Sequence, residues 1–470
     1  MFIGRTKEVA ALRRTLSRAP ALVIVYGRRR VGKSTLLRQA VDHIPAVYFQ
    51  ATRLTDMDNQ ATFKNQVARQ IDLGPTFQGL TGWEYLLSAV RDAAVASPGL
   101  TLVLDEFPYL CEANPALPSI IQKIWDDVTH ERPPFNLILC GSRIAFMSEV
   151  LAERNPLYGR QSAVLDVGPL PFRDAAQFFV NWTPEERVRG YCALGGMPYY
   201  LSLVDPTDTL ADNIQRLLLA ETAPLREEPQ HLLEAELQNV GRYASILHAV
   251  ASGASKRAEI INRIFRSPED ADSISPYLQR LLALRLLAQE TSMDVRVPGK
   301  SPNVRYRLAD PFLAFHYRFV TPNLTALETA PADAVYTALI APAFDAYVSV
   351  PFEELAREYV RRYGSDILPS PAREVGKIWG RDFDIDVAGT LLDGSAVFGE
   401  AKWSIKHLGR NQIQELDHRM TLTPYMRDAT RSYQLFFSRS GFSPDLADAA
   451  RHDTRIKLVS LDALLTGQEP

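Results

Sequence analysis

Between Gly27 and Ser34 the chain reads Gly-Arg-Arg-Arg-Val-Gly-Lys-Ser, placing two glycines, a lysine and a hydroxyl at the spacing GxxxxGK(S/T). Such a run wraps backbone N–H groups around a phosphate. Gly27 and Gly32 permit the close approach, and the helix that follows presents its positive end. Lys33 has the charge and reach for β- and γ-phosphates, and Ser34 supplies a hydroxyl for Mg2+. The apolar run ALVIVYG precedes the motif and STLLRQAV, a helical pattern, follows it. The expected ligands are therefore ATP and Mg2+. ATP would be held by Gly27, Arg28, Arg29, Arg30, Val31, Gly32, Lys33, Ser34 and Thr35. The three consecutive arginines either face a partner or form a solvated loop tip.

An acidic pair, Asp105-Glu106, ends the apolar run TLVLDE. Carboxylates at the carboxyl end of a buried parallel strand stand where ligands bind in open α/β sheets. Asp105 is expected to hold the magnesium through water, and Glu106 to polarise the attacking water. Ser142 ends the next apolar run, FNLILCGS, and either contacts the γ-phosphate or caps its strand. Arg143 beside it is a weaker candidate for the same contact. Arg160, in LYGRQSAVLDVGPL, is either an arginine finger or an ordinary loop arginine.

A second set of charged residues lies far along the chain. Glu353 or Glu354 falls in the helical pattern AFDAYVSVPFEELAREYVRRY, Asp386 ends DFDID, and Glu400-Ala401-Lys402 follows an Asp393-Gly394 turn. Strand alternation puts Asp384 with Asp386 on one face, and Glu400 with Lys402 on one face. Gln412 or Gln414, in the later helix NQIQELDHRM, would point towards the same place.

The elements that must position these residues can be read from periodicity. Four runs apolar on both faces, at 21–27, 46–51, 100–106 and 135–142, alternate with helical patterns; that predicts a parallel sheet covered on each side, a three-layer α/β domain. A chain of 470 residues is too long for one core. The expected division is an ATPase core at 1–170, a helical lid at 171–234, a winged-helix domain at 235–325 and a C-terminal α/β domain at 335–470. In the third segment helices lead to YLQRLLALRLLAQE, a polar stretch with Pro298 and Gly299, and the strand VRYRLAD, a helix-turn-helix variant with a wing. That segment, counted from 235 to 320, holds 12 Lys+Arg against 8 Asp+Glu, +4 in a chain whose net charge is −3. Lys256, Arg257, Arg280 and Arg285 are its candidate contacts for a phosphate backbone, and docking of a protein is the other use of such a module. An overall acidic balance excludes a protein coated in positive charge. Cys111, Cys140 and Cys192 have no metal-ligand spacing and are expected as buried thiols. The opening MFIGRTKEVAALRR has no apolar signal core and no run of about 18 apolar residues follows, so a cytoplasmic protein without a membrane partner is expected.

Taken together, GRRRVGKSTLL, LVLDEFPYL, ILCGS, GPLPFRDAAQFF and GGMPYYL resemble the archaeal-type ATPases of the AAA+/STAND group of P-loop NTPases. FIGR ahead of the first strand suits that group as well. The resemblance implies a P-loop NTPase core, ATP use, and a Gly-Gly-x-Pro segment at 195–198 in a helical lid. It implies a winged helix beyond, and it names no biological task. The carboxylate, the Asp and the Glu-x-Lys of the last segment resemble the PD-(D/E)xK nuclease fold. That likeness implies a restriction-endonuclease-like α/β domain, with Glu353, Asp386 and Glu400 on a metal ion and Lys402 supporting a water. Three readings stay open at this level: an ATP-driven switch or motor acting on or near DNA, an ATP-gated metal-dependent nuclease, and a signalling scaffold that holds nucleotide without turning it over. A homo-oligomer or a protein partner suits the first and third.

Overall fold

The structure is a computed structural model that describes residues 2–131, 133–265, 274–294, 304–425, 429 and 431–467. The chain forms two compact units, one of Met1–Leu170 with Met197–Tyr199 and the other of Pro171–Gly196 with Tyr200–Pro470.

In the first unit the four apolar runs become strands β1 (Ala21–Tyr26), β2 (Ala46–Gln50), β3 (Leu100–Asp105) and β4 (Phe135–Gly141). A fifth strand, β5 (Ala163–Asp166), is short and only half-buried, so it carries no apolar signal in sequence. All pairings are parallel and the order is β2-β3-β4-β1-β5. One face of the sheet, through Leu22, Ile24, Val47, Phe49, Leu102, Leu104 and Leu137, packs on a core from helices Asp56–Ala68, Trp83–Asp92 and Leu117–Glu131. Phe49, Phe63 and Trp83 meet there with ring centroids 5.1, 5.3 and 6.4 Å apart. Alternate residues Val23, Val25, Val103 and Ile138 on the other face are equally buried. Burial on both faces of a parallel sheet needs a layer on each side, and it fixes the carboxyl ends of β1, β3 and β4 as one rigid edge.

The second unit holds helix Pro184–Leu194, opened by a Thr183–Glu186 capping box, and further helices Leu210–Ile214 and Glu228–Glu236. Helices Val240–Ala251, Arg257–Ile264 and Ile274–Ala283 come next, then β6 (Leu287–Thr291) paired antiparallel with β7 (Val304–Leu308). The expected polar connection with Pro298 and Gly299 lies outside the described residues. Lys256, Arg257 and Arg285 are exposed, whereas Arg280 is half-buried and donates to the Glu236 carbonyl at 3.4 Å.

The last part runs from helix Ala341–Tyr363 through β8 (Ala372–Trp379), β9 (Asp384–Leu391), β10 (Ala396–Lys402), helix Asn411–Thr421, β11 (Ser432–Ser438) and helix Pro444–His452 to β12 (Ile456–Val459). Its sheet has the order β12-β11-β10-β9-β8. β8, β9 and β10 are antiparallel neighbours, and β10, β11 and β12 are parallel. The Asp393-Gly394 turn joins β9 to β10, with Gly394 at φ 83°. The helical stretch 332–366 is long and apolar enough by length and composition to cross a membrane. Its second half nevertheless carries Glu353, Glu354 and Arg357, each in ion pairs within this unit.

His316 ties two segments of this unit together. It is buried, its Nε2 donates to the Arg226 carbonyl at 2.7 Å, and its Nδ1 faces the Thr321 hydroxyl at 3.2 Å. Burial pushes its pKa from the ordinary 6.5 down to about 4. The unfolded chain therefore takes up a proton that the folded chain refuses. Stability present above pH 6.5 is lost as the pH falls towards 4, by about 3 kcal/mol at most. Thermal unfolding at pH 7 and pH 4.5 should show a larger loss in the wild type than in His316→Gln. Equal losses would remove His316 from the acid response.

Candidate functional site

The phosphate loop joins β1 to the helix Lys33–Val41. Gly32, at φ 87°, occupies the left-handed region where a side chain is strained, and a Cβ at Gly27 would stand 2.2 Å from the Val167 carbonyl oxygen. Both glycines are therefore required by the shape of the loop. Val31 is buried and its carbonyl accepts from Arg5, whose guanidinium also donates to the Gly168 carbonyl at 2.5 Å. Arg5, the arginine of FIGR, is thus a brace of the loop that the motif alone did not reveal.

Lys33 is almost fully buried, and its Nζ donates to the carbonyls of Gly27 at 2.9 Å and Arg28 at 3.1 Å. Its ammonium is held within the curve of the loop, where phosphate oxygens would replace the carbonyls as acceptors. Arg28 is buried, whereas Arg29, Arg30 and Thr35 are exposed. Arg30 lies over the Tyr199 ring, 4.6 Å from its centroid, and Pro198 would be 3.6 Å from a Cβ on Gly32. The Met197–Tyr199 part of the Gly-Gly-x-Pro segment therefore flanks the loop.

At the end of β3, Asp105 is fully buried and all its partners are donors. Its Oδ2 accepts from Ser34 Oγ at 2.6 Å and from the Tyr48 hydroxyl at 2.5 Å, and its Oδ1 accepts the Glu106 N–H at 3.0 Å. Burial and then the Asp105 charge push the Tyr48 phenol well above its usual range, which keeps it a donor. Glu106 has φ 54°, the left-handed region for a residue with a side chain, and its Oε2 accepts from Ser142 Oγ at 2.8 Å. Ser34 with Asp105 and Glu106 with Ser142 thus form two adjoining pairs at the carboxyl ends of neighbouring strands. The oxygen donors of Ser34 and Asp105 fit the hard, oxygen-seeking Mg2+, and the curved backbone of 27–33 fits a triphosphate.

Other expected residues go elsewhere. Arg160 makes a two-point pair with Asp126, at 2.7 and 3.0 Å, and donates to the Pro156 carbonyl at 2.9 Å. It makes no hydrogen bond to the loop, Asp105 or Glu106 among the described residues, because Asp126 on the helix Leu117–Glu131 captures it. Arg143 is ion-paired with Glu112. All three cysteines are free and buried. Burial raises the Cys140 thiol well above its usual range, and Asp105 adds to this, so it is inert beside the site.

In the second unit the structure resolves the Glu353/Glu354 alternative. Glu354 is taken up by Arg307 and Arg357 at 3.2 and 3.0 Å and by Arg361. Glu353 faces the cluster, 2.6 Å from Lys377 Nζ. Lys377, on β8, carries no motif of its own in the sequence. It also stands 3.3 Å from Asp384 and 3.4 Å from Asp386. Glu400 is buried between Lys402 at 2.7 Å and Arg419 at 2.6 Å. Asp386 accepts the Ala401 N–H at 3.1 Å. Among the described residues neither Gln412 nor Gln414 hydrogen bonds to the cluster: Gln412 donates to Glu415 at 2.9 Å, and Arg419 of the same helix reaches Glu400 instead. Burial, then the Asp386 charge, raises the carboxyls of both Glu353 and Glu400, while Lys377 and Lys402 are held protonated by the same acids.

Glu353, Asp386, Glu400 and Lys402 therefore do converge, but the expected metal does not fit them as they stand. Among the described residues no three His, Cys, Asp or Glu side chains form a metal-ligand set. Lys377, Lys402 and Arg419 stand among these carboxylates as their ion-pair partners.

Comparison with known proteins agrees with the first unit's chemistry. Residues 2–204 match a family described as an ATPase domain predominantly from Archaea, and residues 316–415 match one described as archaeal and bacterial proteins of unknown function. An uncharacterized protein of Methanocaldococcus jannaschii, MJECL04, is 32% identical over 410 residues, 86% of this chain and 88% of that one. A second uncharacterized protein of that organism, MJ0424, is 37% identical over 81 residues, 15% of this chain and 77% of its own length. Among solved structures, the Walker-type ATPase PABY2304 of Pyrococcus abyssi is similar, with a TM-score of 0.52 and 20% identity, covering 67% of this chain and 96% of that one. That likeness is one of fold.

Proposed function

The chain belongs to the predominantly archaeal family of ATPase-domain proteins, and on that premise we propose that it is a Mg2+-dependent ATP hydrolase working as a nucleotide-driven switch whose second unit acts on DNA. The observation that carries this reading is the adjoining pair of contacts, Ser34 to Asp105 at 2.6 Å and Ser142 to Glu106 at 2.8 Å. One pair sets a hydroxyl and a carboxylate for the metal. The other sets a base for water beside a hydroxyl that can read the γ-phosphate.

Ser34 and Asp105 would hold the Mg2+, which would supply positive charge to offset the negative charge that develops on the transferred phosphoryl group. The chain's own residues do the rest. Lys33 exchanges its two loop carbonyls for phosphate oxygens, and the N–H groups from Gly27 to Lys33 line the phosphates. Ser34 donates its hydrogen bond to Asp105 and so presents a lone pair outward. Glu106, aimed by its left-handed backbone and by Ser142, orients the attacking water and accepts its proton.

The DNA part of the proposal rests on the helices from Val240 to Ala283 followed by the β6–β7 hairpin, the arrangement of a winged helix, and on exposed Lys256, Arg257 and Arg285. The last sheet, with its order of helix, three antiparallel strands, helix and parallel strand, supports a nuclease-like domain. Its cation-paired carboxylates favour a scaffold over a cutting enzyme.

The test is ATP binding and turnover with and without duplex DNA, following DNA integrity in Mg2+. Lys33→Ala should weaken ATP binding by about tenfold or more, as expected when a charge-assisted phosphate contact is lost. Wild-type turnover should rise with DNA while the DNA stays whole. Turnover that survives Lys33→Ala would sink the site. Turnover indifferent to DNA would turn the output towards a protein partner, and cut DNA would restore the nuclease reading.

A further inference from the structure

We propose that Tyr48 is a positioning residue for magnesium: its hydroxyl fixes the Asp105 carboxylate so that Ser34 can present a lone pair to the metal. The proposal rests on the ATPase reading of the site and extends it to a residue outside every motif of the phosphate loop.

Tyr48 lies on β2, the edge strand next to β3, and it is held from three sides. Its hydroxyl donates to Asp105 Oδ2. Its backbone, on the open edge of the sheet, is clamped by one side chain: Gln70 accepts the Tyr48 N–H at 2.8 Å and donates to its carbonyl at 3.0 Å. The ring carries the guanidinium of Arg38, 4.2 Å from its centroid, and Arg38 belongs to the same helix as Ser34.

The oxygen that Tyr48 holds is the one that matters. Asp105 Oδ2 accepts from Ser34 and Tyr48 together, while Oδ1 is occupied by the Glu106 N–H. With both oxygens fixed, the carboxylate cannot rotate about its Cβ–Cγ bond, and the proton of Ser34 is directed to Oδ2. The remaining lone pairs of Ser34 then face away from Asp105. Without the Tyr48 hydroxyl, Oδ2 keeps Ser34 as its one hydroxyl donor, and the direction in which that oxygen takes the Ser34 proton is no longer set by a second donor.

The measurement is the Mg2+ dependence of two readouts in Tyr48→Phe, which keeps the ring beneath Arg38 and removes only the hydroxyl. One readout is ATP turnover at saturating nucleotide. The other is binding of a fluorescent ATP analogue in EDTA and across a Mg2+ titration. The half-saturating Mg2+ concentration should rise by about fivefold in both, the effect of one ordinary hydrogen bond, with binding in EDTA unchanged. A superposable Mg2+ dependence would overturn the proposal, and so would equal weakening in EDTA and Mg2+, which marks a merely structural role. Should Tyr48→Phe also unfold more easily, Arg38→Ala keeps the hydroxyl and loosens the ring. It must then shift the Mg2+ dependence in the same direction by a smaller factor, and no shift would overturn the proposal. The binding titration needs no turnover, so an inactive wild type would defeat the hydrolase reading while still deciding on Tyr48.

Discussion

Replacing Glu106 with glutamine should lower ATP turnover by about a thousandfold while leaving nucleotide binding within about twofold, because general-base catalysis contributes two to four orders of magnitude and this carboxylate makes no contribution to the loop. Its geometry argues for the chemical role. A non-glycine residue at φ 54° costs about 1 to 2 kcal/mol, and nothing in the packing of β3 asks for it, since the strand has already ended at Asp105. The turn aims the side chain at Ser142 on β4, across the gap between two parallel strand ends. Glutamine keeps the length, the turn and a hydrogen bond from Ser142, but it cannot take a proton from water. The expected pattern is therefore a fall in kcat with the affinity for ATP retained, measured by single-turnover hydrolysis beside equilibrium binding. Loss of both together would mean that Glu106 supports the fold of the site. Turnover kept within tenfold would move the base to another residue.

Why this site was legible in sequence, and the rest less so, follows from how each part is encoded. The phosphate loop is a local object: glycines, lysine and serine fall within one turn of backbone, so spacing alone determines the geometry. Asp105 and Glu106 are legible because a fully buried strand ends at them. Tyr48 and Arg5 carry no such mark. Tyr48 is apolar enough to pass as one more residue of the run AVYFQ, and only the pairing of β2 with β3 reveals that its hydroxyl meets Asp105. Arg160 shows the same dependence on a distant residue. An arginine in a loop has the type for a finger, yet Asp126, 34 positions earlier in sequence, captures it. The strands β5, β8 and β12 are half-buried or at an edge, where the apolar pattern fades, whereas β11, internal and buried along most of its length, is a strand whose apolar run SYQLFFS the sequence reading leaves unassigned. In the C-terminal cluster, strand alternation correctly put Glu400 with Lys402 and Asp384 with Asp386. What it could not supply was Lys377, whose position in the cluster depends on the pairing of β8 with β9, including two register shifts.

Lys377→Met should destabilise the second unit by about 3 to 5 kcal/mol, the cost of stranding buried charge when its partner is removed. The Nζ of Lys377 stands within 2.6 to 3.4 Å of Glu353, Asp384 and Asp386, and of these Asp386 is almost wholly buried, Glu353 largely so. Methionine fills a similar volume, so the loss reads charge and not packing. Burial and Asp386 already raise the Glu353 carboxyl despite the neighbouring lysine. Without that lysine the group should take up a proton at still higher pH. The instability should therefore be greatest at neutral and alkaline pH and lessen as the pH falls through the raised carboxyl range, because the folded state then binds a proton that the unfolded state does not. Adding Glu353→Gln to Lys377→Met removes one of the stranded charges and should recover a substantial part of the loss. Urea unfolding of the two single variants and the double variant at pH 5.5 and pH 8 completes the cycle. A Lys377→Met effect below about 0.5 kcal/mol would be that of an ordinary solvated lysine, and the carboxylates would then be free to take a metal ion. A large effect that Glu353→Gln partly reverses makes the ammonium of Lys377 the cation on which this cluster is built.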